Sequence, residues 1–233
     1  MMSPELITTT NNAFKKDKYS IISRIETEFN SYLSTHNPSF YTHIRLKDFN
    51  FLFSLYDKYY FSENLAKYLK ITLDFSHRLT KSAGMVKFNL RTQSVKIIFS
   101  IPLIFGAYLK ETQGYIVNGI FCKNPSEALM RVMEHELTHI AEFILHGNSK
   151  CSKPRFIKYS YQLFGHTENK HKIGHEIKLE TESYVQKFKK GDNVNFVFKN
   201  TVYNGNITRI GKRATVIVGQ DKKFYVPLCL LYK

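Results

Sequence analysis

Apolar positions along the chain change their spacing several times, and each change marks a different kind of element. Tyr19, Ile22, Ile25 and Phe29 recur every three or four residues, which predicts a helix from Phe14 to about Leu33, ending before Asn37-Pro38. Phe49, Phe51, Leu52, Phe53, Leu55, Tyr56, Tyr59 and Tyr60 form a second helical stripe, and a short helix follows from Ser62-Glu63 to about Leu69. Residues 71 to 75 and 85 to 88 alternate as strands do, and 94 to 100 return as a hairpin across Arg91-Thr92-Gln93, giving a small antiparallel sheet.

Helical spacing resumes at Leu129, Val132, Met133, Leu137, Ile140, Ala141 and Ile144. Asn124-Pro125-Ser126-Glu127 announces the start, with a cap, a proline suited to the first turn and a carboxylate that can reach back. His146-Gly147 closes the segment. Residues 152 to 164 form one more expected helix, with Pro154 in its first turn, Phe156, Ile157, Tyr161 and Leu163 inward, and Gly165 as the stop. The first twelve residues carry no such pattern and are expected to be disordered. From Tyr184 onward short strands alternate with turns, and Asn204-Gly205 and Gly211-Lys212 are expected in tight hairpins. Five such strands predict a small closed β-barrel of SH3-like size. The whole reads as an α+β fold.

Composition narrows the setting. Three cysteines, Cys122, Cys151 and Cys229, are odd in number and scattered, which argues against a disulfide framework and for a reducing, cytoplasmic location. No apolar run approaches the roughly 20 residues that span a bilayer, so no membrane partner is expected. The formal charge of +15 points to polyanions, DNA or RNA before a membrane surface. Residues 187 to 233 hold ten Lys or Arg against Asp192 and Asp221, a balance of +8. Arg209, Lys212 and Arg213, around Gly211, are the expected nucleic-acid contacts.

The chemistry is concentrated in His135-Glu136-Leu137-Thr138-His139. Histidines four apart on a helix share one face and can hold one zinc ion, and the glutamate between them is placed to act as general base. A catalytic site needs a third protein ligand and an open fourth position. Further downstream, His166, His171 and His175 fall within a single stretch of ten residues. A structural zinc site in a nucleic-acid-binding protein is the rival reading, although such sites usually close with paired thiolates.

The chain resembles the SprT-like zinc metallopeptidases, a family related to Spartan, which degrades proteins crosslinked to DNA. The resemblance covers roughly residues 65 to 180. It rests on Arg78-Leu79, Ala83-Gly84, the stretch 98 to 103, Val132-Met133-Glu134-His135-Glu136-Leu137-Thr138-His139, and on Gly147 and Phe156 beyond. It implies a zincin-like domain over 61–183, between an N-terminal helical region, 1–60, and the basic barrel, 184–233. It further implies zinc (Zn2+) on His135 and His139, Glu136 as general base, and a protein substrate. Where the family carries its third zinc histidine this chain has Ser152. His166 is the first substitute, His171 the alternative and Cys151 the next.

Overall fold

The computed structural model describes residues 2–41, 43–106, 115–169, 188–198, 201–211, 213–228 and 231. The chain is mixed α+β. Its N-terminal part contains α1 (Pro4–Ala13), α2 (Lys18–His36), α3 (Leu46–Phe61), α4 (Asn64–Tyr68), β1 (Lys70–Ser76), β2 (Gly84–Asn89), β3 (Ser94–Ser100) and the single turn α5 (Ile101–Ile104). After these come the small hairpin β4 (Tyr115–Val117) and β5 (Ile120–Cys122), then α6 (Pro125–His146) and α7 (Pro154–Phe164). A second sheet follows, made of β6 (Asn193–Phe198), β7 (Thr201–Ile210), β8 (Arg213–Val218) and β9 (Lys222–Pro227).

The first residues are not disordered. Pro4 opens α1, and Leu6, Thr10 and Ala13 fall on one face at helical spacing and are buried. That face rests against α3, α4 and α6. The turn between α3 and α4 bends through left-handed backbone at Ser62 and Glu63, and the buried Asp57 carboxylate accepts from the amides of Leu65 and Ala66, both at 2.9 Å. Asp57 thus caps the next helix from a distance.

The first sheet is mixed rather than antiparallel. Its order is β1-β3-β2, with β1 parallel to β3 and β2 antiparallel to it. The tight connection from Asn89 to Ser94 forces β2 and β3 side by side. The longer stretch between β1 and β2 carries the chain past the place that β3 later fills, so β2 becomes an edge strand.

α6 is the axis of the main core. It is buried on nearly every side, polar residues included, and packs against α1, α2, α5, α7, β2, β4 and β5. Aromatic side chains fill the space behind it, with Phe49 and Phe99 ring centroids 5.0 Å apart and Phe40 and Phe105 5.3 Å apart. In α7, Phe156 and Leu163 point inward as expected, but Ile157 and Tyr161 are 41% and 53% exposed.

The C-terminal strands have their own core of Phe188, Val194, Phe196, Ile207, Ala214, Val216, Val226, Leu228 and Leu231. Among the described residues they form an open four-stranded meander in the order β6-β7-β8-β9, not a closed barrel. Asn204-Gly205 is not a turn. It lies inside β7, where Asn204 pairs with Asn195 and Gly205 with Val194. Gly205 is required there because a Cβ would sit 2.3 Å from the carbonyl oxygen of Ile217 on the neighbouring strand. β7 therefore runs through the expected turn, and the described residues form four strands where five were expected. Among the described residues no helix is long and apolar enough to cross a membrane.

Candidate metal centre

The local sequence dictates how α6 presents its histidines. Asn124 caps the helix by accepting from the Glu127 amide at 3.0 Å, and Glu127 returns the favour at the Lys123 amide at 2.8 Å. At the other end Gly147 adopts φ +70°, a left-handed cap that turns the chain back along the helix. Between these ends His135 and His139 stand one turn apart, with ring centroids separated by 5.0 Å. Phe156 of α7 packs against both rings, at 4.8 Å and 4.4 Å.

The reversal at Gly147 brings Cys151 to the same place. One donor atom from each of His135, His139 and Cys151 lies within 4.8 Å of the other two. Two imidazoles and a thiolate are a donor set suited to zinc. Burial pushes the pKa of His139 down to about 4, so its imidazole is neutral and its lone pair available near neutral pH. Burial also raises the Cys151 thiol above its ordinary range, and a bound cation would favour the thiolate.

A buried carboxylate organises the loop that carries Cys151. Glu142, one turn beyond His139, accepts from Arg155 Nε at 2.7 Å, from the Lys150 amide at 3.2 Å and from the Ser149 hydroxyl. Arg155 reaches on to the Asn148 side chain at 2.8 Å. Ser149 Oγ lies 2.7 Å from His139 Nδ1. With that nitrogen engaged, Nε2 is the atom left for a metal, and a carboxylate-hydroxyl-imidazole chain sets the ring's orientation. On the far side, Asn169 Nδ2 donates to the Cys151 carbonyl at 2.7 Å.

Glu136 faces a cleft of about 520 Å³, whose lining also includes Gly84, Val86, His135, His139 and Cys151. The edge strand β2 forms one wall. Gly84 lets strand and helix meet, because a Cβ there would lie 2.4 Å from Glu136 Oε1 and 2.8 Å from a Val132 methyl. Burial pushes the Glu136 carboxyl up to about 8. No hydrogen bond or ion pair offsets that among the described residues. An uncompensated carboxyl beside two imidazoles and a thiol is the setting a divalent cation would relieve.

His166, the sequence's first choice for the third ligand, is not brought to this cluster. Its Nε2 lies 2.7 Å from Glu134 Oε2, and both side chains are fully buried. Glu134 also accepts from Arg131 at 2.7 Å and from the Tyr56 hydroxyl at 2.7 Å. Burial alone would raise the Glu134 carboxyl, but the Arg131 charge, His166 and Tyr56 together hold it below its ordinary value. An ionised carboxylate can only accept, so His166 Nε2 carries the proton and is closed to a metal. The reason is geometric: α7 lies between Cys151 and His166, and its eleven residues carry the chain about 16 Å away. His171 and His175 lie outside the described residues. Of the expected nucleic-acid contacts, Arg209 is exposed on β7 and Arg213 half-buried on β8, while Lys212 lies outside the described residues.

Periodicity could not have found Glu142, Ser149, Arg155 and Glu134, because their roles depend on a loop and a neighbouring helix folding onto α6. The one available signal was the density of polar residues on an otherwise apolar helix. No family model, curated protein or solved structure matches this chain.

Proposed function

We propose that this chain is a zinc-dependent peptidase of the SprT-like, zincin-like type, with His135, His139 and Cys151 as the metal ligands. The observation that carries the reading is the convergence of those three donors beside buried Glu136 at the floor of an open cleft. Structural zinc sites are closed by four protein ligands, whereas catalytic ones keep a position open. Three ligands under a cleft favour catalysis over a purely structural ion.

Zinc held there would supply Lewis-acid polarisation of a scissile carbonyl and would acidify water at neutral pH. The chain's own residues supply the rest. Glu136 accepts a proton from the attacking water and delivers it to the departing amine, the role its position under Gly84 and beside the two imidazoles suits. Among the described residues the outer edge of β2 is unpaired and offers backbone groups along the cleft, so a substrate in extended conformation could add to it as a further strand. Phe156 fixes both imidazoles from behind.

The basic C-terminal region, with its balance of +8, would hold the enzyme on nucleic acid near protein substrates bound there. The test is direct. Purified protein should contain one zinc per chain and cleave a DNA-bound protein; chelation should stop cleavage and added zinc restore it. Stoichiometric zinc with no cleavage by the wild type on any nucleic-acid-bound substrate would leave only a structural ion.

A further inference from the structure

The C-terminal sheet has two unlike faces, one apolar and buried, the other bearing cations and an exposed tyrosine. Val194, Phe196, Gly205, Ile207, Ala214, Val216 and Val226 are buried on the inner face. Side chains alternate along a strand, so the neighbouring residues face outward. Pairing aligns them in rows. Arg209, Thr215 and Tyr225 form one row across three strands, and Asn206, Ile217 and Lys223 form the next. Arg213 lies two residues from Thr215 on the same face of β8. No described outward position of these strands carries a carboxylate; Asp221 sits in the β8–β9 turn, and Asp192 precedes β6 with its carboxylate accepting from the Lys189 amide.

Tyr225 is the unusual member. It is 69% exposed, while Phe224 beside it joins the inner core. Strand spacing puts Arg209 about 10 Å from Tyr225 across the sheet and Lys223 about 7 Å away along β9. An aromatic ring standing in water among cations, with no acid on its face, suits a ligand that has both phosphates and accessible ring faces. A duplex hides its base faces in the stack, so it could use the cations but not the ring. A single strand can use both.

We infer that the outer face of β7, β8 and β9 binds single-stranded nucleic acid, with one base stacked on Tyr225 and flanking phosphates met by Arg209, Arg213 and Lys223. This rests on the nucleic-acid reading above and gives it a strand form and a stacking residue. The absence of tryptophan from the chain makes a clean reporter possible.

The experiment uses the full-length protein and labelled oligothymidylate, oligouridylate and a mixed-sequence duplex, with anisotropy followed over a salt series. Tyr225→Ala should weaken binding to a single strand by ~5- to 150-fold and leave duplex binding nearly unchanged. Replacing Arg209, Arg213 and Lys223 together by alanine should flatten the single-strand salt slope by about two units. Tyr225→Trp should retain affinity, and its fluorescence should be quenched by the strand it stacks on; the DNA and RNA arms show which strand that is. Single-strand affinity unchanged in Tyr225→Ala, with an unquenched tryptophan in Tyr225→Trp, would overturn the stacking site while leaving a phosphate anchor. Absence of salt-sensitive binding to all three probes would overturn the anchor reading as well.

Discussion

Two histidine sites share α6, and they differ in how their charges are met. On one side Glu134 receives Arg131, Tyr56 and His166, each at 2.7 Å, in a sealed interior. Round the helix, His135, His139 and Cys151 converge beneath a cleft, and Glu136 lies near them with its carboxyl pushed up to about 8 by burial. Glu134, His135 and Glu136 are consecutive, yet a turn of about 100° per residue sends them into different surroundings. A buried histidine whose counter-charge is already in place is structural. Two imidazoles and a thiol beside an uncompensated carboxyl are ready for a cation. Sequence spacing treats these histidines alike; the neighbouring charges separate them.

The largest effects should come from the metal side. His135→Ala, His139→Ala and Cys151→Ala should each abolish stoichiometric zinc, because a two-ligand site holds the ion too weakly to survive purification. His166→Ala should retain it. Zinc measured by mass spectrometry on the four purified variants decides the matter, and loss in His166→Ala at full retention in Cys151→Ala would reverse the assignment. Glu136→Gln should keep both zinc and fold while slowing proteolysis ~10²- to 10⁴-fold. Cleavage at the wild-type rate would remove Glu136 from the mechanism.

Breaking the sealed side should instead cost stability. Removing one partner of a buried, hydrogen-bonded charge pair costs about 3–5 kcal/mol, so Arg131→Met should lower the denaturation midpoint strongly. His166→Phe keeps most of the ring volume and removes one hydrogen bond to the carboxylate, which predicts a smaller loss of about 1.5–3 kcal/mol. In both variants any protein that remains folded should hold zinc normally. Zinc loss in folded protein would show that the two sides are coupled rather than separate.

How much of this was legible in the sequence follows from the range of the interactions involved. The capped helix carrying His135 and His139 was readable because Asn124, Pro125, Glu127 and Gly147 act within a turn of their own positions. The hairpin from β2 to β3 was readable for the same reason. Asn-Gly pairs mark the limit of local rules. Asn118-Gly119 turns between β4 and β5 with φ of 54° and 79°, the left-handed geometry such a pair favours. Asn204-Gly205 has the same composition but runs straight through β7, because Gly205 must admit the backbone of β8. The third member of the candidate metal group was the least legible feature. Choosing Cys151 over His166 required knowing that Gly147 folds the loop back, that Glu142 pins it, and that Glu134 has already claimed His166.

The smallest predicted effects test the support of that loop and so the sharpest part of the comparison. Glu142 is not one of the three candidate ligands and supports them through Ser149, through the backbone that carries Cys151 and through its charge, so weakening it should shift affinity without removing a ligand. Ser149→Ala deletes the hydroxyl next to His139 Nδ1 and leaves the loop's link to Arg155 intact. Loss of such an outer partner typically costs ten- to a hundredfold in metal affinity, so Ser149→Ala should weaken zinc by that order with an unchanged melting temperature in the metal-free protein. Glu142→Gln should weaken zinc by a comparable factor and also lower that melting temperature, since Arg155 and the Lys150 amide lose a charged acceptor. Competition with a chromophoric chelator measures both affinities. Equal affinities in wild type and Ser149→Ala would mean that packing against Phe156 alone sets the His139 ring, and that the hydroxyl is a bystander.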